Sequence, residues 1–254
     1  MIYCTMTSLA EQWGSLPLDY EIDYNTVHVW CSRFQTSYIS QKKFVGSLSA
    51  EEMVRARRFV RESDRDRYIF AHALFRSILG TYLGCSPQEL VFGTNQYGKP
   101  FLVSPHGNNE IQFNLSHSRN MVLIAVARQI AVGIDVEYIR RVSDAHEIVD
   151  RFFSTHERRF LFSLSPTDFN EAFFACWTLK EAFAKGIGKG LSYPLDKVRV
   201  MFSNGRAGEI VFCDPASDFP SWRMYPLSPG PGYSGALAVE TPGSEPVFFE
   251  YREH

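Results

Sequence analysis

Along the chain, runs in which apolar residues alternate with polar ones give way to runs with helical spacing, and this order recurs. Thr26 to Arg33 alternates loosely through Val27, Val29 and Cys31 and predicts a strand. Ser47 and Ser49 precede a helical pattern from Ala50 to about Leu83, with Glu51 and Glu52 where acids favour the positive end of the dipole. The polar run Arg61 to Arg67 marks a break between two helices, and Gly84 a stop. Leu90 to Gly93 and Phe101 to Val103 read as short strands around a turn at Asn95 to Pro100. Ile111 to Leu115, Met121 to Ala127 and Ala131 to Glu137 follow as strands, with a turn at Arg128-Gln129. Helices are expected over Ala145 to Phe153, Thr155 to Ser163 and Phe169 to Gly186. The remainder is strand-rich: Val198 to Phe202, Glu209 to Cys213, Trp222 to Tyr225, Ala236 to Glu240 and Val247 to Tyr251. Strands, helix, strands thus occur twice, although no sequence repeat is visible. The order predicts an α+β fold of two similar halves, residues 1–130 and 131–254, with a site in the cleft between them.

Composition narrows the partners. The 254 residues are 45% hydrophobic and 21% charged, with a formal net charge of −2, which argues against nucleic-acid binding driven by whole-chain charge. Five scattered cysteines without a Cys-x-x-Cys read as free thiols in a reducing compartment. The N-terminus lacks a secretory pattern, and Met121 to Ala127 is too short to span a bilayer. A soluble cytoplasmic protein with neither nucleic acid nor membrane as partner is expected.

Three stretches carry chemistry. In Gly133-Ile-Asp-Val-Glu137, strand alternation sends Asp135 and Glu137 from one face. An exposed strand carries acids at the same spacing, but the apolar run Val122 to Val132 places this pair at the end of a buried strand, where carboxylates need partners. In Trp177 to Lys185, helical spacing puts Lys180, Glu181 and Lys185 toward one side of a largely apolar helix. Glu181 and Lys185 also fit an ordinary surface pair. Three carboxylates suit a hard divalent cation and the lysine a phosphate, so a magnesium–pyrophosphate site is expected.

The third stretch is Phe113-Asn-Leu-Ser-His-Ser118. Ser116 and His117 point to opposite faces of a strand, which disfavours a hydrolase triad; His117 reads as a phosphate ligand or a structural histidine. Gly93 to Lys99 matches a P-loop up to the position where Ser or Thr is required, but Pro100 stands there and a strand follows. The P-loop is rejected, leaving Lys99 as a point charge for a phosphate. Most of the arginines from Arg55 to Arg76 read as a solvated face.

Together the blocks Ala56-Arg-Arg-Phe59, Tyr97-Gly-Lys-Pro100, Asn114-Leu-Ser-His-Ser118, Gly133-Ile-Asp-Val-Glu137, Arg151-Phe-Phe-Ser154, Trp177-x-x-Lys-Glu-Ala182 with Lys185, and Gly188-Lys-Gly-Leu-Ser192 resemble the 4′-phosphopantetheinyl transferases of the surfactin (Sfp) type. The resemblance runs from about Leu48 to Leu195, and its Trp-x-x-Lys-Glu-Ala form points to the broad-specificity, secondary-metabolism branch. It implies a monomer of two halves related by pseudo-twofold symmetry, which transfers 4′-phosphopantetheine from coenzyme A to a serine of an acyl or peptidyl carrier protein. Adenosine 3′,5′-bisphosphate would leave. By motif match, Asp135, Glu137 and Glu181 would hold Mg²⁺, or Mn²⁺ in its place, on the pyrophosphate; Lys185 would contact the same phosphates and His117 the 3′-phosphate. Arg55, Lys99, Asn114 and Ser116 would complete the coenzyme site. Glu52 stands where a relative can carry a lysine, so Arg55, Arg67 or Arg58 would carry more of the clamp. Glu181 is the first candidate base for the attacking serine and Glu157 the second. Carrier docking is expected at apolar and basic residues near Arg140 to Arg159. A magnesium-dependent pyrophosphate hydrolase and a non-catalytic carrier-binding module remain the alternatives.

Overall fold

The computed structural model describes residues 3–4, 21–35, 42–103, 110–203, 206–212, 222–240 and 246–251. After β1 (Tyr3–Cys4), the first half runs β2 (Val27–Arg33), α1 (Lys42–Gly46), α2 (Ala50–Ala56), α3 (Glu62–Leu83), β3 (Phe92–Thr94), β4 (Pro100–Leu102), β5 (Ile111–Ser118) and β6 (Met121–Arg128). The second runs β7 (Val132–Tyr138), α4 (Ala145–Phe152), α5 (Thr155–Leu161), α6 (Pro166–Gly186), β8 (Val198–Ser203), β9 (Arg206–Phe212), β10 (Trp222–Leu227) and β11 (Tyr233–Glu240), followed by β12 (Pro246–Glu250). Cys213 lies outside the described residues; Cys85 and Cys176 are free thiols.

The halves repeat one topology. In the first, the opening strand β2 pairs with the closing strand β6, which pairs with β5; in the second, β7 pairs with β11 and β11 with β10. Each half inserts a long helix, 22 residues in α3 and 21 in α6, after its opening strand. The terminal strands cross between halves. β1 pairs with β9, and β12 lies parallel to β2 in the first half's sheet. A cut at residue 130 would therefore separate two strand pairs, and the expected boundary does not divide the sheets cleanly.

Burial explains the patterning. On β6, Val122, Ile124 and Val126 pack under α3, while Met121, Leu123, Ala125 and Ala127 pack against β7, β10 and β11 of the other sheet. Both faces are covered, so the run reads as continuously apolar. On the far side Ala236, Ala238, Trp222 and Met224 meet α6. The layers are helix, sheet, sheet, helix.

The break in the long helical pattern falls earlier than expected. Residues 57–61 separate α2 from α3, and the polar stretch from Glu62 to Arg67 is helical, with Arg65 bonded to Glu62 and Arg67 to Asp64. These i,i+3 pairs and the acids near the positive dipole end support the polar first turns of α3. Gly84 ends α3 in the left-handed conformation, as expected. Among the described residues, no helix is long and apolar enough to cross a membrane.

Candidate active site

The edge strands β5 and β7 of the two sheets face each other without a shared backbone ladder. Side chains of β5 replace it. Asn114 Oδ1 accepts from the amide of Ile134 at 2.8 Å, Ser116 Oγ from Val136 at 3.2 Å, and Ser118 Oγ from Tyr138 at 3.1 Å. Residues two apart on a strand share a face, so Asn-x-Ser-x-Ser meets every second amide of its neighbour. Ser116 Oγ donates onward to Asp135 Oδ1 at 2.9 Å and Ser118 Oγ to Glu137 Oε2 at 2.7 Å. Both carboxylates are thereby held from the first half.

The face of β7 that bears them turns toward α6. At Gly133 strand and helix touch: a Cβ there would overlap the Ala182 carbonyl oxygen and the Gly186 amide. Beyond this contact Lys185 Nζ reaches Asp135 Oδ1 at 2.6 Å, Ser116 Oγ at 3.0 Å and the Ile134 carbonyl at 3.3 Å. Asp135 is buried, and its second oxygen, Oδ2, has no partner. Burial, then the Asp135 charge, with Glu137 adding to it against the opposing Lys185 charge, pushes the Glu181 carboxyl up to about 7. Burial, partly opposed by the Ser118 hydrogen bond, raises Glu137 as well, and the Asp135 charge adds to the rise. The three acids thus share one electrostatic neighbourhood.

They do not form the expected closed cage. Among the described residues no three such side chains are gathered tightly enough to hold a metal. The Lys185 ammonium sits against Asp135 as the counter-charge. The donor set still fits magnesium, which takes one or two carboxylates together with substrate phosphate oxygens. An unpartnered buried carboxylate oxygen is the kind of atom such an ion satisfies.

A cavity of about 530 Å³ opens beside this cluster, lined by Arg55, Tyr68, His72, Asn114, Ser116, His117 and Lys185 among others. Burial and the charges of His72, Lys185 and Arg55 push the His117 imidazole down to about 4. A smaller adjoining cavity is lined by Lys99, Asn114, Lys185, Gly188 and Gly190. Lys99 itself donates to the Gly186 carbonyl at 2.6 Å and to Val132 at 3.3 Å, capping the negative end of α6, and burial lowers it to about 8. Its turn is made by Asn95, whose Oδ1 accepts from the Tyr97 and Lys99 amides, and it is not a phosphate loop.

Two expected residues lie elsewhere. Glu157 is fully buried, paired with Lys180 at 2.9 Å, and accepts from the Ser154 and Val200 amides, so it has no access to a substrate proton. Arg67 bonds Asp64 and Asn120 and does not line the cavity. Lys180 also turns away from Glu181, donating to the carbonyls of Leu195 and Val198. His72 and Tyr68 also line the cavity, and a helix pattern assigns them only to an amphipathic face. Ser118 was legible in the period-two spacing of Asn114, Ser116 and Ser118.

Family models match both halves of the chain. The model for the 4′-phosphopantetheinyl transferase superfamily matches residues 131–238, and that for the 4′-phosphopantetheinyl transferase N-terminal region matches residues 34–129. The chain is 31% identical over 243 residues to the 4′-phosphopantetheinyl transferase HetI of a Nostoc species, covering 96% of this chain and 100% of HetI. It is 32% identical over 202 residues to the 4′-phosphopantetheinyl transferase Sfp of Bacillus subtilis, covering 79% of this chain and 86% of Sfp. The chain belongs to the 4′-phosphopantetheinyl transferase family. Its reaction is the transfer of 4′-phosphopantetheine from coenzyme A to a carrier protein.

Proposed function

We propose that coenzyme A lies in the cavity between the halves with its pyrophosphate at Asp135, Glu137, Glu181 and Lys185, and that the transfer depends on Mg²⁺. The observation that carries this reading is the unpartnered, buried Asp135 Oδ2 beside the Lys185 ammonium. A divalent cation held by Asp135, Glu137 and Glu181 would neutralise charge on the pyrophosphate. Lys185 adds a fixed positive charge beside the same phosphates. Ser116 and Ser118 keep the two strand carboxylates oriented, while Arg55, His117, Asn114 and the Lys99 turn bound the coenzyme.

Glu181 takes the proton of the carrier serine. It acts directly or through a bridging water, and the burial of Glu157 removes that residue as its rival. The serine oxygen forms a bond to the β-phosphorus, the bond to the bridging oxygen breaks, and adenosine 3′,5′-bisphosphate departs with the electron pair. The carrier approaches at the face of Arg140 and Arg141, which line a groove with His146, Phe162 and Phe169.

Incubation with coenzyme A, Mg²⁺ and an acyl or a peptidyl carrier tests the reading. A gain of about 340 Da on the carrier is expected, with no release of the bisphosphate when the carrier is omitted. Release without a carrier would favour a hydrolase. Transfer at full rate after removal of divalent cations by a chelator would overturn the metal assignment.

A further inference from the structure

The cavity has two charged ends. At one, Lys185 is bound by Asp135, Ser116 and the Ile134 carbonyl. The other end is built from α2 and α3, where His72 joins Arg55 and Tyr68 in the lining. His72 Nδ1 lies 3.3 Å from Glu52 Oε1. Its ring rests on Tyr68 with centroids 4.0 Å apart and planes at 32°. Among the described residues its other nitrogen, Nε2, has no hydrogen-bond partner.

Glu52 is itself fixed. Its Oε2 accepts from the Ser49 amide at 2.8 Å, within the capping box that starts α2, and from Arg76 Nε at 2.7 Å. Arg76 is buried and also donates to the carbonyls of Pro87 and Leu90. Although burial opposes it, the hydrogen bonds from His72 and Ser49 and the Arg76 charge hold the Glu52 carboxyl down at about 2. An ionised carboxylate only accepts, so His72 meets Glu52 through Nδ1–H and the ring is oriented from behind; donation to a phosphate from Nε2 then requires the doubly protonated ring, the form that Glu52 on one side and a bound phosphate on the other both favour.

We propose that His72, oriented by Glu52, is a binding residue for the 3′-phosphate of coenzyme A, together with Arg55 and His117. The proposal rests on the placement of coenzyme A in this cavity. Coenzyme A carries phosphate in two places. The cluster of Asp135, Glu137 and Glu181 repels an anion that arrives without a cation, so it suits the pyrophosphate and its metal. The phosphomonoester has no such ion and needs protein donors. Arg55, His72 and His117 line the same cavity, so a dianion among them meets one guanidinium and two imidazole rings. Of the acids there, Glu52 is already matched by Arg76.

Steady-state transfer with coenzyme A and with 3′-dephospho-coenzyme A tests this directly. His72→Ala should raise KM for coenzyme A about ten- to a hundred-fold, the range for a hydrogen bond to a charged group, and leave KM for the dephospho analogue within about twofold. His72→Lys, which puts an N–H donor back at this position, should recover most of the loss with coenzyme A. Equal losses on both substrates, or none on either, would overturn the role of His72, as would wild-type protein that handles the two alike. Wild-type protein that transfers from neither substrate would instead defeat the placement of the coenzyme in this cavity.

Discussion

Gly133 of β7 and Gly186 of α6 meet backbone to backbone, and a Cβ on Gly133 would come within 2.8 Å of the Gly186 Cα. This contact sets the distance at which Asp135, two residues along, faces Lys185. Backbone atoms cannot swing aside as a side chain can. Gly133→Ala should therefore lower stability by about 1–3 kcal/mol and depress kcat, as the helix is pushed away from the carboxylates. Thermal unfolding with transfer assays on the same sample would check both effects; unchanged kcat would mean that the spacing does not govern the site.

Glu181→Gln keeps the shape of the side chain and removes its proton-accepting charge. Transfer should fall to background at saturating Mg²⁺ while the circular dichroism spectrum and unfolding midpoint stay near wild type. Turnover like that of the wild type would take Glu181 out of the mechanism.

The pair Glu157–Lys180 sits with both side chains fully buried, tying α5, α6 and the start of β8. Lys180→Ala should destabilise the fold by about 3–5 kcal/mol, since it leaves a buried carboxylate without its counter-charge. Urea unfolding measures this. A shift much below 1 kcal/mol would show that solvent reaches the pair.

Ser116→Ala removes the acceptor of the Val136 amide and one hydrogen bond to Asp135 together. The unpaired amide should lower stability by about 1–3 kcal/mol, and the less constrained Asp135 should raise the Mg²⁺ concentration needed for half-maximal activity. Ser118→Ala should act likewise through Glu137, and metal titration of the two variants compares them.

Acid sensitivity follows from His28. Burial, slightly opposed by Asp23, lowers it from 6.5 to about 4, and its Nδ1 meets the Tyr82 hydroxyl at 2.6 Å. Between these values the unfolded chain binds a proton that the folded chain refuses. Stability is thus full above about 6.5 and is lost as pH falls toward about 4. Urea midpoints measured from pH 7.5 to pH 4 should fall in wild type and fall less in His28→Gln.

The sequence determined a great deal locally. Period-two alternation and apolar runs marked every strand near the site, and Asp135, Glu137, Glu181, Lys185 and His117 were all legible because their motifs are short and ordered. Local patterning also separates a strand that buries one face from one, such as β6, that is buried on both. The same spacing could not say which polar residues of α6 face the site. Lys180 and Glu181 are neighbours, yet one is sealed with Glu157 and the other joins the carboxylates. Only packing decides that, because a side chain's partner depends on which element lies against its face. The crossing of β1 and β12 between the halves, the meeting of β5 with β7 through side chains, and the turning of His72 into the cavity by Glu52 are likewise tertiary. Each joins residues tens to hundreds of positions apart, beyond the reach of any helical or strand period.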